Sequence, residues 1–316
     1  MTKRDVISLL ALAALWGGSF PFQRIAVHEF GPVALVELRI VIGAVVLTPM
    51  LFARSGWKSI AANLVPIMVI GVLNSMLPFL LLAYATVSVT AGLVSILNAT
   101  SPLFGALIAA IWLKERLTWP RTAGLCFGFG AIIFLFQGGA GFNPGGSDLA
   151  IPAALAAAFN YGLAANYARR KLVGVPPLLV AAGSLVFAAI ILCPLAVWYW
   201  PTEPPSAVAW EAVAGLGVGC TGIAYVLYFN LIARVGATNA ITVTFIIPMF
   251  AMVIGWIFLG ERVTDEMVIA CGAILTGTAL ATGIIRLGPK IASPASKPES
   301  DRARVDTCSG ASERCS

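Results

Sequence analysis

The chain has 316 residues, of which 59% are hydrophobic and only 11% are charged, and its formal net charge is +6. A soluble domain carries about 25% charged residues, so a water-soluble globule is excluded and an all-α membrane protein is favoured. The positive charges lie in short segments between apolar runs, which is typical of a protein that contacts a lipid bilayer and argues against nucleic acid as a partner.

Ten apolar segments are long enough to cross the hydrocarbon core of a bilayer as helices, which takes about twenty residues each. We expect these spans near residues 6–27, 33–53, 62–84, 89–113, 121–138, 148–168, 177–199, 209–232, 239–259 and 265–286. A Gly-rich connecting loop at 139–147 divides the chain into a first five-helix repeat, 1–138, and a second one, 148–286. Residues 287–316 are rich in Ser, Pro and charge, which predicts a disordered cytoplasmic tail.

The distribution of basic residues predicts the orientation of the chain in the membrane. With the N-terminus inside, most Lys and Arg residues, among them Lys114, Arg169 and Arg234, fall on inner connections or on the tail. The opposite orientation would place these charges outside, against the usual excess of positive charge in cytoplasmic loops. We therefore expect a multi-pass protein of the cell inner (plasma) membrane with both termini in the cytoplasm.

An internal repeat occurs at an offset of 146 residues. The segments 102–118 and 248–264 are identical at eight of 17 aligned positions, including the Pro, Glu, Arg and Thr that hydrophobic bias does not produce. Five expected spans separate the two copies, and because five is odd, the Glu115 and Glu261 ends face opposite sides of the membrane. The sequence thus predicts ten transmembrane helices arranged as two inverted five-helix repeats around a central cavity, an arrangement that supports alternating access.

These features resemble the drug/metabolite transporter superfamily, EamA type, in its bacterial amino-acid and metabolite exporter branch, over about residues 6–286. The matching features are a Pro in the fourth helix of each half, the ends of those helices, and two sites near the N-terminus: Pro102, Pro248, Leu113-Lys114-Glu115, Leu259-Gly260-Glu261, Trp16-Gly17 and Arg39. Lys114 departs from the glycine that is usual there.

The resemblance implies a secondary transporter or facilitator that exports small polar metabolites, with amino acids as the leading candidates. A multidrug or cationic-compound exporter is the alternative within the same class. A membrane assembly subunit that transports nothing is the alternative from another class.

Polar and aromatic side chains near the middle of the expected spans form a candidate solute-binding site. They are Trp16, Phe20, Asn74, Tyr84, Asn98, Asn160, Tyr161, Tyr225 and Tyr228. An amide that faced lipid would be costly, so each asparagine either lines a wet cavity or hydrogen-bonds to a neighbouring helix. The aromatic residues either form the wall of that cavity or serve only in packing.

Charged residues and prolines are candidates for gating or coupling. They are Glu37, Arg39, Pro102, Pro248, Glu115 and Glu261. For the second-span pair a functional and a structural interpretation stay open. In the functional one, Arg39 faces the cavity and attracts a solute carboxylate, or Glu37 carries a coupling proton; in the structural one, both side chains reach the outer interface or pair with neighbouring helices. The two repeated glutamates form ion-pair gates or anchor helix ends, and the two prolines act as hinges or only bend their helices.

The sequence has no P-loop, GxSxG, HExxH or Cys-His cluster, and His28 is its single histidine. We therefore expect neither enzymatic activity nor a cofactor or metal. The expected partners are a small-molecule solute and the lipid bilayer. Gly124 and Gly128 fit a small-xxx-small packing pattern, which serves close helix contact either within the chain or in a homodimer.

Overall fold

A computed structural model describes residues 1–52, 56–137 and 147–283, and these residues form helices without an extended β-strand. The predicted tail, 287–316, lies outside the described residues, and so does the predicted connecting loop, 139–147, except for its last residue. The expected all-helical fold is confirmed.

The first half of the chain contains seven α-helices and one π-helical segment, π1, which joins α3 to α4. The α-helices are α1 Lys3–Phe52, α2 Gly56–Ala62, α3 Leu64–Ile70, α4 Leu77–Ser88, α5 Ala91–Asn98, α6 Ser101–Trp112 and α7 Trp119–Gln137, and π1 is Gly71–Met76. Helix α1 is broken at Gly31, whose φ of 69° is a backbone conformation that side chains disfavour. Its two arms, 3–30 and 32–52, correspond to the first two predicted spans.

The second half has the same kinds of element in the same order. Its α-helices are α8 Ala150–Lys171, α9 Pro177–Trp198, α10 Ala207–Ala214, α11 Ala224–Val235, α12 Ala237–Ala240, α13 Val243–Leu259 and α14 Asp265–Ala281, and the π-helical segment π2, Gly215–Ile223, joins α10 to α11. Shifting π1 by the repeat offset of 146 residues places it inside π2. The internal repeat seen in the sequence therefore extends to an uncommon local structure that helices adopt chiefly at functional positions.

Five helical stretches within the described residues are long and apolar enough to cross a membrane. They are Lys3–Pro49, Leu64–Ser88, Ala91–Trp112, Pro177–Trp198 and Ala207–Val235. Shorter apolar helices cover Trp119–Leu135 and Val243–Leu259. Helix α8 has 22 residues but includes Asn160, Asn166 and a basic last turn. The number of ten spans stays a prediction.

The two copies of the repeated motif end in the same backbone structure. Lys114 and Gly260 both have left-handed backbone, with φ of 55° and 63°. In each copy the amide of the next residue, Glu115 or Glu261, donates a hydrogen bond of 3.2 Å to the carbonyl oxygen six residues earlier. A residue in the left-handed conformation at the end of a helix is typical of a helix C-cap. The first copy thus forms the cap without the glycine that normally provides it.

Close helix contacts also recur in the two halves. A Cβ placed on Gly17 of α1 would lie 2.6 Å from Cβ of Phe250 and 3.0 Å from the amide nitrogen of Ala251 in α13. A Cβ placed on Gly162 of α8 would lie 2.6 Å from the amide nitrogen of Gly105 in α6. Gly105 and Ala251 occupy the same repeat position. Helix α1 thus packs against α13, and α8 against α6, each through a glycine. These are the first predicted span of each half and the fourth predicted span of the other half.

The small-residue pattern predicted in α7 serves packing within the chain. A Cβ on Gly124 would lie 2.6 Å from the carbonyl oxygen of Gly277 in α14, and a Cβ on Gly277 would lie 2.8 Å from the amide nitrogen of Gly128. Backbone therefore meets backbone where α7 crosses α14. This contact accounts for both glycines of the pattern inside a single chain.

Candidate functional site

A cavity of about 630 Å³ lies between helices of both halves. Its lining includes seven of the predicted solute-binding residues and three of the predicted gating residues: Trp16, Phe20, Asn74, Asn98, Tyr161, Tyr225, Tyr228, Arg39, Pro102 and Pro248. Both α1 and α13 contribute, and so do α6 and α8, the helices that pack in pairs through Gly17 and Gly162. The cavity volume lies within the 300–1,000 Å³ that is common for small-molecule sites.

Five of the predicted residues do not line this cavity: Tyr84, Asn160, Glu37, Glu115 and Glu261. The hydroxyl of Tyr84 is hydrogen-bonded to the hydroxyl of Ser147 over 2.9 Å. The side-chain amide of Asn160 donates to the carbonyl oxygen of Ala156 in its own helix over 2.8 Å. Glu37 is buried without lining the cavity, and its Oε2 has no hydrogen-bond partner within the described part of the chain.

Aromatic rings form one wall of the cavity. The ring centroid of Trp16 lies 5.1 Å from that of Tyr228 and 6.5 Å from that of Tyr225, the latter in an edge-on arrangement. Trp16 belongs to α1, and both tyrosines belong to α11, where they are three residues apart and so share a helix face. This wall combines apolar surface with two hydroxyl groups.

Arg39 is held at the cavity by groups from three helices. Its Nε donates to Oγ1 of Thr221 over 3.1 Å, and one terminal nitrogen donates to Oε1 of Gln23 over 3.2 Å. The guanidinium carbon lies 3.8 Å from the centre of the Phe79 ring, a cation–π distance. Thr221 in turn donates to the carbonyl oxygen of Leu216 over 2.9 Å, five residues earlier in π2. The π-helical segment thus sets the position of the threonine that accepts from Arg39.

Gln23, Thr221 and Phe79 are functional candidates that the sequence prediction missed. Gln23 follows an apolar run close to the expected end of the first span, and Thr221 is surrounded by glycines and apolar residues. The available signal was weak: each is a polar residue within or near an expected span. Phe79 gave no signal because one phenylalanine in an apolar helix is unremarkable.

The charge at the cavity is positive. Among its described lining residues, Arg39 is the only one of the Asp, Glu, Lys, Arg and His types. Its guanidinium makes no ion pair with a carboxylate in the part of the chain that the structure describes. Glu37 is two positions away on the same helix, where residues do not face each other. The cavity therefore carries a cation whose counter-ion is not supplied by the described residues.

The two repeat prolines line the cavity in different local structures. Pro102 stands at the start of α6, after a break at Ala99–Thr100 that separates α5 from α6. A proline at the first turn sacrifices no helical hydrogen bond. Pro248 lies inside the continuous helix α13. The break before Pro102 therefore has no equivalent next to Pro248, and the second half has its turn earlier, at Ile241–Thr242 between α12 and α13.

Glu261 closes one end of the bundle. Its Oε1 lies 3.0 Å from Nε of Arg24 and accepts from the amide of Ala91 over 2.9 Å, while Oε2 accepts from the amide of Gly92 over 3.3 Å. Both amides belong to the first turn of α5, where a carboxylate is favourable. The side chain of Glu261 is 7% exposed. A buried carboxylate thus links α1, α5 and the end of α13.

Glu115, at the matching position of the first repeat, is in a more open environment. It pairs with Arg169 at the end of α8, and its Oε2 lies 3.6 Å from a terminal nitrogen of Arg121. Its side chain is 37% exposed, against 7% for Glu261. The two repeated glutamates therefore have the same backbone structure, but Glu261 is buried whereas Glu115 is partly exposed.

The cavity extends toward the Glu115 end. Its lining includes Leu172 and Val175 of the α8–α9 connection and Pro177 at the start of α9, close in sequence to Arg169 in the last turn of α8. It also includes Thr244 at the start of α13, the opposite end of the helix that leads to Glu261. The described residues of the α4–α5, α9–α10 and α13–α14 connections contribute nothing to it. The described lining of the cavity thus reaches connections at the Glu115 end and none at the Glu261 end.

Comparison with known proteins agrees with this architecture. The model of the EamA-like transporter family matches the chain twice, at residues 4–137 and 148–283. An uncharacterized transporter of Bacillus subtilis (strain 168), YoaV, is 26% identical over 275 residues, which are 85% of this chain and 93% of the relative.

A probable terminal-alkyne amino-acid exporter of Streptantibioticus cattleyicolor is 25% identical over 274 residues, which are 86% of this chain and 91% of that protein. A solved structure described only as "Crystal structure of protein" has a TM-score of 0.63 at 22% identity, over 90% of this chain and 98% of that one. This last similarity concerns the fold.

Proposed function

Because the chain belongs to the EamA-like transporter family, we propose that it is a secondary transporter that exports small polar metabolites, amino acids first among them, by alternating access. The observation that carries the proposal is the cavity between the two halves, whose described lining reaches connections at the Glu115 end and none at the Glu261 end. Glu261 is buried against Arg24, and in this proposal the Glu115 end is open and the Glu261 end is closed. In alternating access, each of the two states closes the cavity at one end and opens it at the other.

The internal symmetry supports the mechanism. The family model matches both halves, the C-caps at Lys114 and Gly260 have the same backbone, and the π-helical segments coincide at the repeat offset. Two like-folded units inserted in opposite directions can exchange conformations, so that the open end of the cavity closes and the closed end opens. In this proposal ten spans form two inverted repeats, and Glu115 and Glu261 act as the corresponding gates.

The distribution of charge supports the direction. Lys114, Arg116, Arg169 and Arg170 cluster near the open end, and basic residues favour the cytoplasmic side. The open end then faces the cytoplasm of an inner-membrane protein whose termini are both inside. This state is the one in which an exporter loads its solute.

The cavity chemistry favours an amino acid over a cationic drug. Asparagine amides, tyrosine hydroxyls and Arg39 offer hydrogen bonds and a positive charge, whereas no carboxylate lines the cavity among the described residues. An organic cation would have to enter beside a buried arginine without a compensating negative charge, which is unfavourable. The Streptantibioticus cattleyicolor relative named as an amino-acid exporter supports the same choice.

Flux through the purified chain tests the proposal. The full-length protein in liposomes preloaded with each of the twenty amino acids should exchange at least one of them for external radiolabelled solute, without a partner protein. A subunit that serves only in assembly gives no flux in this assay, and a cationic-compound exporter exchanges amines instead.

Two asparagines provide a matched pair of variants. Asn98→Ala removes an amide from the cavity wall, whereas Asn160→Ala removes one that is bonded within its own helix away from the cavity. We expect Asn98→Ala to lower exchange by about tenfold, the effect of about one lost hydrogen bond, and Asn160→Ala to leave it within about twofold. Equal effects would contradict the assignment of the cavity as the solute site.

A further inference from the structure

We infer that Arg39 is the binding site for a carboxylate group on the solute. This inference rests on the proposed transport function and specifies which group of the solute the protein recognises and with which residue. The side chain has four properties that together point to an anionic ligand: its burial, its unused hydrogen-bond donors, its lack of a counter-ion and its position in only one repeat.

The burial of Arg39 makes its charge costly. The residue is 6% exposed and lies in the second arm of α1, within the apolar part of the chain. Moving a guanidinium out of water without an ionic partner is expensive, even when hydrogen bonds are made. Neutral Thr221 and Gln23 accept hydrogen bonds from it but bring no negative charge.

The hydrogen bonds that Arg39 makes leave part of its donor set unused. A guanidinium has five N–H groups. Thr221 accepts from Nε, Gln23 accepts from one terminal nitrogen, and the Phe79 ring covers one face of the plane. The remaining three N–H groups have no protein acceptor within the described residues. A planar fork with free donors at its edge suits the two oxygens of a carboxylate.

The second repeat indicates that the fold does not need a charge here. Aligning Pro49 of α1 with Pro194 of α9 sets Ser184 at the position of Arg39, and α9 contains no Asp, Glu, Lys, Arg or His. Ser184 lines the cavity too, and its hydroxyl donates to the carbonyl oxygen of Ala181 in its own helix. The same helix packing is therefore achieved with a small neutral residue, so Arg39 serves the cavity rather than the packing.

The rest of the wall suits the remainder of such a solute. Trp16, Tyr225 and Tyr228 provide aromatic surface, and the buried Oδ1 atom of Asn98 has no hydrogen-bond partner among the described residues. An unpaired buried acceptor is unfavourable until a donor reaches it. A solute that combines a carboxylate with a hydrogen-bond donor and apolar carbon would match each part of the wall.

Three compounds that share a phenylethyl group test the inference on the purified full-length protein in detergent. The probes are radiolabelled L-phenylalanine, which carries both charges, 3-phenylpropanoate, which carries only the carboxylate, and phenethylamine, which carries only the ammonium. Equilibrium dialysis should give binding of both carboxylates, with phenethylamine at least about tenfold weaker. The absence of carboxylate binding, or phenethylamine binding as tightly as phenylpropanoate, overturns the inference.

Substitutions at Arg39 connect this selectivity to the residue. Arg39→Gln should weaken binding of both carboxylates by at least about tenfold and leave phenethylamine unchanged or tighter, and Arg39→Lys, which keeps the charge but not the fork, should give an intermediate value. Thr221→Val should weaken binding less, because it leaves the guanidinium in place. Unfolding temperatures of all variants separate a lost ligand contact from a damaged fold, and unchanged carboxylate binding in a folded Arg39→Gln variant overturns the inference.

The failure of this inference is distinguishable from failure of the proposed function. If Arg39→Gln leaves amino-acid exchange in liposomes unaltered, the proposed transport function stands and the carboxylate site is excluded. If the protein binds carboxylates through Arg39 but shows no flux, the carboxylate site stands and the proposed transport function is excluded.

Discussion

Nε of Arg24 lies 3.0 Å from Oε1 of Glu261, and the two side chains join elements that are far apart in the chain. A terminal nitrogen of the same arginine donates to the carbonyl oxygens of Thr86 and Val89, over 3.0 and 2.6 Å. Arg24 thus bonds the end of α4 and its C-cap, while Glu261 bonds the start of α5. The pair holds the connection between these helices against the first arm of α1 and the end of α13.

Glu261 is therefore expected to contribute more to stability than Glu115. Glu261→Ala removes the carboxylate that neutralises a mostly buried arginine and accepts from two helix amides, and should lower the free energy of unfolding by about 3 kcal/mol. Glu115→Ala removes ion pairs that are more than a third exposed, and should change it by less than about 1 kcal/mol. Unfolding of both variants in mixed micelles measures the difference. Equal losses would contradict the difference in burial between the two ends.

Lys114 adopts left-handed backbone where the second repeat has glycine. A side chain in this conformation costs about 1–2 kcal/mol, part of which is offset because glycine gains freedom in the unfolded chain. We expect Lys114→Gly to raise the free energy of unfolding by about 1 kcal/mol. Gly260→Ala, at φ of 63°, should lower it by about the same amount. The same unfolding assay measures both, and a destabilised Lys114→Gly variant would show that its side chain makes a contact that outweighs the backbone strain.

Much of the fold was predictable because it depends on local chemistry. Long apolar runs predict helices, and the break between the first two spans falls at Gly31, next to a proline. The shared Glu-Arg ends identified the repeat because polar residues in such positions rarely coincide by composition. The π-helical segments were not predictable, since a one-residue change in helical register leaves no mark on an apolar sequence.

The site was predictable in composition but not in detail. Asn98 and Asn160 have the same side chain in equally apolar surroundings, yet only Asn98 reaches the cavity. Which face of a helix meets the cavity depends on the helices packed around it. When a helix is apolar on all sides, its sequence does not indicate how it is rotated about its axis. The partners of Arg39 escaped prediction for the same reason, because Thr221 comes from the other half of the chain.

The proposed inverted arrangement predicts which side of the membrane each of two positions is labelled from. Arg116 and Arg262 are exposed residues at matching repeat positions, one directly after each repeated glutamate. In a chain without its native cysteines, Arg116→Cys should react with an impermeant maleimide only in inside-out vesicles, and Arg262→Cys only in intact cells. Reaction of both from one side would show that the halves are not inverted, and alternating access between two like-folded repeats would then be excluded.

The crossing of α7 and α14 predicts opposite effects for two glycines of the same helix. A Cβ on Gly124 would lie 2.6 Å from the carbonyl oxygen of Gly277 and 2.7 Å from the amide nitrogen of Ala281. Both atoms belong to backbone, so the helices must separate to admit a methyl group, and Gly124→Ala should destabilise the protein by about 1–3 kcal/mol.

Gly130 lies six residues, or nearly two turns, further along α7 and has open space around its Cβ position. Gly130→Ala should therefore leave stability unchanged or raise it by up to about 1 kcal/mol, because alanine restricts the unfolded chain. Unfolding temperatures of the two variants in detergent compare a methyl group in contact with one in free space. If Gly124→Ala were as stable as Gly130→Ala, the two helices would not meet through their backbones, and the last helices of the two repeats would be held together by larger side chains instead.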